Sequence, residues 1–512
     1  MMFGSGTSRL KYWIKKKWPE RNVSAFGWNH FFLKRKIVTE ITAFSVTVTH
    51  KNSITMKQIL LFFVSVLIVQ TSLGQNLPLL KISSDSCYII TENDEPFFWL
   101  GGTAWELIHR LDKEEIDKYL TDRANKGFTV IQTVILAELD GLNTPNAYGE
   151  KPLINNDPTK LNERYFTLVD HVLEKANELG LYIALLPSWG DKFNKNWGAG
   201  PEIFNSENAR IYGGLLAKRY IKYNNLIWIL GGDRPLENEN HFEIVRALAG
   251  GIREFDRKHL ISFHPVGGKK ATDFLNDKWL DLDMYQSGHS RTAKEYSYVL
   301  DSKKMLTKRP IINGEARYEN IRDRFWEEKS YGWLDDADVR VSAYWSIIAG
   351  AAGYTYGCND IWQMYDVTKV PILNARTDWQ AALQLPGSSQ MGYMRRIFEK
   401  LSWQKMILNQ DLILNINPEN ESYILSAIRS DKKVVIAYTP IGNPIKIDLA
   451  KIDSKRINAY WFNPRSGKTK HIGDFETNTP QEFKPWSTGW GSDFLLILTA
   501  ENNKIDFNDL NQ

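Results

Sequence analysis

The chain reads as an α/β protein, a (β/α)₈ barrel of the TIM type followed by a small antiparallel β-sandwich. Three observations predict this. From about residue 95, short apolar, β-rich runs alternate eight times with longer stretches of helical period, as a closed parallel barrel requires. Most of the short runs are apolar along their whole length, as strands covered on both faces are. After about residue 405 the texture changes to short alternating runs separated by turn signals, the pattern of a sandwich of roughly one hundred residues.

The barrel strands are expected at 97–103, 130–136, 182–188, 226–232, 260–264, 281–286, 310–314 and 350–356. Between them, 113–126, 164–179, 206–220 and 239–256 carry apolar faces at three- and four-residue spacing and read as the outer helices. Gly127 and Gly180 stand where helices should stop, and Asp112 and Asn162 where they should start. A helix at 388–399 closes the barrel. Beyond it, strands are expected at 412–416, 423–427, 434–438, 445–449, 458–462 and 494–498. The catalytic barrel is therefore assigned to 76–405 and the accessory sandwich to 406–512. No low-complexity linker separates them, which predicts direct packing.

The N-terminal region has a different character. Met56-Lys57-Gln58 precedes an apolar run from Ile59 to Val69, then Gln70-Thr71-Ser72-Leu73-Gly74-Gln75, the layout of a secretory signal peptide over 56–75 cleaved near Gly74 or Gln75. The apolar run is far shorter than the ~20 residues needed to span a bilayer. The expectation is an exported protein, periplasmic or secreted, with no stable membrane insertion after cleavage. Residues 1–55 show no sustained periodicity and read as an over-extended start without ordered structure. A basic cytoplasmic tail ahead of a signal anchor is the alternative.

Residues 1–55 carry ten Lys or Arg and two Asp or Glu, a net of +8, and Lys57 adds one more; removing these from the formal +4 leaves −5 for residues 76–512. Basicity thus belongs to the leader, and nothing points to nucleic acid as a partner. Two cysteines, Cys87 and Cys358, cannot make a disulfide scaffold or a zinc motif, although a single bridge between them is open. Nine histidines lack any metal-binding spacing, so neither a metal nor another cofactor is expected. Oligomeric state is not legible.

Barrel enzymes carry their chemistry where strands end, so the acids at strand ends matter most. Strand four runs through Gly231-Gly232 into Asp233, and strand seven through Asn313-Gly314 into Glu315. A carboxylate leaving a buried strand is costly without a purpose. Glycosidic hydrolysis supplies one, because a retaining enzyme needs one carboxyl to protonate the leaving oxygen and another, about 5–5.5 Å away, to attack the anomeric carbon. Asp233 is read as acid/base and Glu315 as nucleophile. The competing structural roles are a helix cap for Asp233 and an ion pair with Arg317 or Arg234 for Glu315.

The segments 102–107, 126–132, 136–145 and 231–235, together with Asn313-Gly314-Glu315, resemble the apiosidase-like glycoside hydrolases, family 140, over roughly residues 80–405. Residues 460–467 and Pro485-Trp486 resemble the collagen-binding-type β-sandwich appended to such barrels, which reads here as a module that braces the barrel or touches glycan. The resemblance implies cleavage of apiosyl linkages in the branched pectin rhamnogalacturonan II, with the aspartate after strand four and the glutamate after strand seven as the catalytic pair. Those positions are Asp233 and Glu315.

Other strand ends offer groups suited to a sugar's hydroxyl edges and apolar faces: Trp105, Glu106, Gln132, Glu138, Asp140, Trp189, His264, Gln286 and Trp362. Lys192, Arg234 and Arg317 are the cations expected to meet any uronate, and ion pairs with Asp191 or Asp233 are their competing role. The partner is thus an oligo- or polysaccharide. Two other readings stand beside this one: a barrel glycosidase of glucanase or mannanase type, and a non-catalytic glycan-binding protein.

Overall fold

The computed structural model describes residues 77–511, so the expectations for 1–55 and for a signal peptide at 56–75 lie outside the described residues. Eight parallel strands form the barrel: β1 Trp99–Thr103, β2 Val130–Leu136, β3 Tyr182–Ser188, β4 Leu226–Gly231, β5 Ile261–His264, β6 Asp283–Gln286, β7 Ile311–Glu315 and β8 Gly353–Tyr356. Their hydrogen-bonded order is β5-β4-β3-β2-β1-β8-β7-β6, with the two-residue strand Lys269–Lys270 antiparallel on β6.

The remaining seam, between β5 and β6, closes without a regular ladder. The Asp281 N–H donates to the Ile261 carbonyl at 2.9 Å, the Asp281 carboxylate accepts the Ile261 N–H at 2.8 Å, and the Ser262 hydroxyl donates to the Leu282 carbonyl at 2.9 Å. Here the structure departs from eight equal units. β5 is followed not by a helix but by Lys269–Lys270 and the single 3₁₀ turn Ala271–Asp273, because Pro265 and Gly267-Gly268 deny the chain a helical start.

Side chains along the strands alternate between two cores. Val130, Val134, Tyr182, Ala184, Leu186, Ile227 and Ile229 fill the barrel, while Ile131, Ile135, Ile183, Leu185, Trp228 and Leu230 pack outward against the helices. An N-terminal antiparallel sheet, Leu80–Ile82, Ile89–Thr91 and Pro96–Phe97, adds Leu80, Ile89 and Phe97 to the inner core.

The helices start and stop where their polar punctuation stands. Asp112 caps Lys113–Asn125 by accepting the Glu115 N–H at 2.9 Å, and Asn162 caps Glu163–Glu178 by accepting the Arg164 N–H at 3.2 Å. Gly127 and Gly180 have φ of 83° and 75°, the left-handed conformation that ends a helix.

The sandwich contains β9 Met406–Leu408, β10 Leu425–Arg429, β11 Val434–Thr439, β12 Ile445–Ile447, β13 Arg456–Asn463, β14 Lys468–Glu476, β15 Gln481–Phe483 and β16 Phe494–Ala500. A six-stranded sheet, β9-β10-β11-β16-β13-β14, faces the pair β12-β15. The expected strand at 412–416 is instead the 3₁₀ turn Gln410–Leu412 followed by one bridge from Ile413 to Ile447. β14 had no counterpart in the sequence reading. It is an edge strand whose nine residues are all exposed or half-buried, so its polar composition carries no apolar alternation.

Barrel and sandwich pack directly, across the helix Asp336–Ala349. Every residue of this helix from Ala337 to Ala349 is buried, as expected for a helix covered on all sides. Arg340 carries the polar part of the contact, with Nε 3.0 Å and Nη2 2.8 Å from the Asp493 carboxylate, which also accepts the Tyr438 hydroxyl at 3.0 Å. Tyr344 stacks on Tyr438 with ring centroids 4.6 Å apart. Cys87 is exposed and Cys358 buried, and both are free thiols, so the bridge left open by the sequence does not form. No helix among the described residues is long and apolar enough to cross a membrane.

Candidate active site

The chain end of β4 is shaped by two glycines. Gly231 and Gly232 have φ of 86° and 121°. A Cβ on Gly231 would lie 2.5 Å from the His264 carbonyl oxygen, and one on Gly232 would lie 2.9 Å from the Gly190 nitrogen. The tight path lets the Gly232 N–H donate to the His264 carbonyl and its own carbonyl accept the Gly190 N–H, each at 3.1 Å, so β4 stays tied to β5 and β3 to its last residue. It also delivers Asp233 at φ 45°, a left-handed conformation uncommon for a residue with a side chain and characteristic of functional sites.

Asp233 and Glu315 line one cavity of about 840 Å³ at the carboxyl ends of the strands. Neither takes the competing structural role. The helix after β4, Glu239–Phe255, is capped by Asn238, and Arg317 pairs with Glu295 at 2.8 and 3.0 Å rather than with Glu315.

The two carboxyls sit in opposite electrostatic settings. Burial, the neighbouring Glu315 and then Glu138 push Asp233 well above the usual aspartate range, against the opposing charge of Arg234. Burial alone would raise Glu315 too. It is outweighed by His264, whose Nε2 lies 3.1 Å from one carboxylate oxygen, and by His289, whose Nε2 lies 3.2 Å from the other, and Glu315 falls to about 2. The His264 pair is close but off the line of a good hydrogen bond. Between the ordinary carboxylate range and Asp233's raised value, Glu315 is an anion while Asp233 keeps its proton.

The walls are aromatic and acidic. Trp105 donates from Nε1 to the Tyr318 hydroxyl at 3.2 Å, and its ring lies 5.0 Å from Trp189, centroid to centroid. Trp197 and Trp326 stand at the mouth, 57% and 58% exposed. Of the sequence-predicted site residues, Trp105, Glu138, Trp189, Asp233, Gln286, Glu315 and Trp362 line the cavity.

The others serve it from outside. His264 lies behind the two carboxyls. Gln132 is wholly buried and donates across the barrel to the carbonyl of Gly314 at 2.8 Å, one residue before Glu315. Glu106 accepts the Leu139 N–H at 3.0 Å and contacts His109 Nδ1 at 2.6 Å, bracing the loop that carries Glu138. Asp140 binds Asn143 and Thr144 of its own loop at 2.8 and 3.0 Å.

The three cations expected to meet a uronate are fully buried and already paired. Lys192 lies 2.7 Å from Asp191, Arg317 holds Glu295, and Arg234 donates to Glu138 at 2.8 Å beneath the Trp197 ring. Sequence reasoning did not single out Tyr318, Trp197 or Trp326. Trp197 could have been flagged: in Lys195-Asn196-Trp197-Gly198 an indole has no apolar neighbour with which to join a core.

Among the described residues, no group of three or more His, Cys, Asp or Glu side chains is placed to hold a metal ion. The arrangement can donate a proton from Asp233 and offer an anionic nucleophile from Glu315 in one aromatic cavity, which is the equipment of glycosidic hydrolysis.

Comparison with known proteins agrees. The model of the apiosidase-like catalytic domain matches residues 83–405, and that described as "Putative collagen-binding domain of a collagenase" matches residues 407–499. A glycoside hydrolase family 5 structure from Bacteroides vulgatus ATCC 8482 is 29% identical, covers 84% of this chain and 95% of its own, and superposes with a TM-score of 0.77. A second structure, named "Glycoside hydrolase", is 30% identical over 84% of this chain and 98% of its own, also with a TM-score of 0.77. No curated protein matches the chain. With both the catalytic model and these structures matching across the barrel that holds Asp233 and Glu315, the chain belongs to the apiosidase-like family and is a glycoside hydrolase.

Proposed function

We propose that this glycoside hydrolase works with retention of configuration, Asp233 acting as acid/base and Glu315 as nucleophile. The opposite displacement of the two carboxyls sharing one cavity supports the division into proton donor and anion, and retention follows from reading that anion as the nucleophile. In the first step Asp233 transfers its proton to the glycosidic oxygen as that oxygen leaves, and the Glu315 carboxylate bonds to the anomeric carbon. In the second, the Asp233 carboxylate takes a proton from water, the water oxygen attacks the anomeric carbon, and Glu315 departs as a carboxylate.

The substrate proposed is an apiosyl linkage in rhamnogalacturonan II-type pectin. Apiose is neutral, and the ionisable carboxyls in the cavity wall, Glu138, Asp233 and Glu315, stand there without a Lys or Arg among the lining residues. A uronate in the same place would meet like charge and leave its own carboxylate unpaired. Family membership supports apiose; an aromatic, acidic wall without a Lys or Arg supports a neutral glycone. Export by the leader at 56–75 completes the proposal, since the polymer is extracellular, and a mature N-terminus near Gln75 on protein recovered outside the cytoplasm is the expected finding.

A proton NMR time course on rhamnogalacturonan II oligosaccharides tests chemistry and substrate together. Apiose should appear first in the configuration it had in the linkage. Initial release of the opposite anomer would remove Glu315 as nucleophile. Turnover of glucans or mannans with none of the pectic substrate would instead assign the cavity to another neutral glycan.

A further inference from the structure

We infer that the junction between barrel and sandwich holds a second carbohydrate-binding site, which grips the glycan chain away from the bond being cut. A cavity of about 510 Å³ lies there, lined by Arg291 and Lys294 of the barrel, Trp345 of the intervening helix, and Glu419, Asn420 and Trp490 of the sandwich.

Its aromatic surface is fixed in advance. Trp490 is 37% exposed although its loop is tied down, with the Gly489 N–H donating to the Ile441 carbonyl at 2.9 Å and the Ser492 N–H to the Gly489 carbonyl at 3.0 Å. The Arg291 guanidinium, held by Asp338 through two contacts of 2.8 Å, lies 4.8 Å from the Trp490 ring centroid. Trp345, 1% exposed, backs the cavity with its indole N–H spent on the Tyr423 carbonyl at 3.0 Å, so Trp490 is the ring that a ligand can reach. Sugars pair C–H faces with hydroxyl edges, and the Trp490 indole with Lys294, Glu419 and Asn420 in the same lining offers both halves of that match. Lys294 lies 3.3 Å from Glu419 and Arg291 is neutralised by Asp338, so the site has no charge surplus that would select a polyanion.

Position argues for glycan rather than peptide. Gly288 and His289 line the catalytic cavity, and Arg291 lines the junction cavity. Two residues of chain span at most about 7 Å, so one stretch of backbone contributes to the walls of both cavities. A polymer whose bond lies between Asp233 and Glu315 is the molecule that the enzyme's own activity brings to this wall.

This inference rests on the chain being a glycoside hydrolase, not on which linkage it cuts, so the test is one of binding. Full-length Glu315→Gln protein is run by affinity electrophoresis through gels containing rhamnogalacturonan, galactomannan or β-glucan. At least one polymer should retard it, Trp490→Ala in that background should weaken the retardation about tenfold, and Trp490→Phe should restore most of it. In the active enzyme, Trp490→Ala should lower kcat/KM more on polymer than on the shortest cleaved oligosaccharide. Absence of retardation by every polymer, or equal retardation of the Trp490→Ala protein, overturns the site. So does a fall in its melting temperature with binding intact, which would make Trp490 domain cement, or competition by peptides but by none of the glycans.

Discussion

The backbone N–H of Asp233 donates to Nδ1 of His264 at 3.3 Å, while Nε2 of the same ring lies 3.1 Å from Glu315. Because Nδ1 accepts, the neutral ring carries its proton on Nε2, and that proton faces the carboxylate. One imidazole thereby supports the turn that presents Asp233 and stabilises the charge on Glu315. Three predictions concern the network around it, and a fourth the contact between the domains.

On the proposed mechanism, activity needs Glu315 as an anion and Asp233 as an acid. Glu315 is held at about 2 by its histidines, whereas burial and then the charge of Glu315 raise Asp233 well above its ordinary range. The rate should therefore rise as pH climbs through the low Glu315 value and fall only when pH passes the displaced value of Asp233. A pH profile of kcat/KM measures both limbs. A basic limb at the ordinary aspartate value of about 4 would contradict the assignment.

His264→Ala removes an N–H from Glu315 and an acceptor from Asp233. Burial then counts for more at Glu315, and its pKa should climb by about one unit or more. The acid limb of the profile should move up with it, and kcat should drop. Glutamine can accept with its oxygen and donate with its nitrogen, so His264→Gln should recover part of both effects. A loss of rate with an unmoved acid limb would confine His264 to packing.

Asp233→Asn separates catalysis from stability. A carboxyl whose folded pKa is raised favours folding in its protonated form. Its contribution is complete below the unfolded pKa of about 4 and is lost as pH rises through the higher folded value. The neutral amide escapes that loss. Turnover should fall about 10²–10⁴-fold, while the melting temperature at neutral pH should exceed that of the wild type and the difference shrink towards acid. Equal melting temperatures at every pH would mean that Asp233 is not strained by burial and like charge.

Arg340 and Asp493 form the charged clamp between the two domains, both almost wholly buried. Arg340→Met leaves Asp493 with the Tyr438 hydroxyl and, 3.9 Å away, the Arg465 guanidinium, and should cost about 3 kcal/mol. The double substitution Arg340→Met/Asp493→Leu should recover most of it, because burying two apolar groups there is far cheaper than burying one unpaired charge. Urea denaturation of the full chain measures both. A cost below about 1 kcal/mol for the single variant would assign the cohesion to Tyr344, Tyr438 and their neighbours.

Much of this molecule was legible in one dimension, because the signals are local. β2 and β3 fall at the residues predicted, since a strand buried on both faces writes itself as an apolar run. The helix Ser206–Tyr220 and the caps Asp112 and Asn162 are equally local, each set by a few consecutive residues. The Gly-Gly-Asp and Asn-Gly-Glu strand ends named the two acids for the same reason.

What distance in sequence hides, only packing decided. β14 takes its strand from hydrogen bonds to β13, which no composition of its own declares. The fifth unit loses its helix to Pro265 and a glycine pair, and β6 accepts an antiparallel partner instead. Above all, the charge state of the two acids was beyond the sequence. Lys192, Arg234 and Arg317 could be read either as ligands of a uronate or as members of ion pairs, and the fold pairs them with Asp191, Glu138 and Glu295. His264, expected to meet a sugar, and His289 together set the ionisation of Glu315. Residue type fixes which groups can titrate; burial and the neighbours that folding supplies fix when they do.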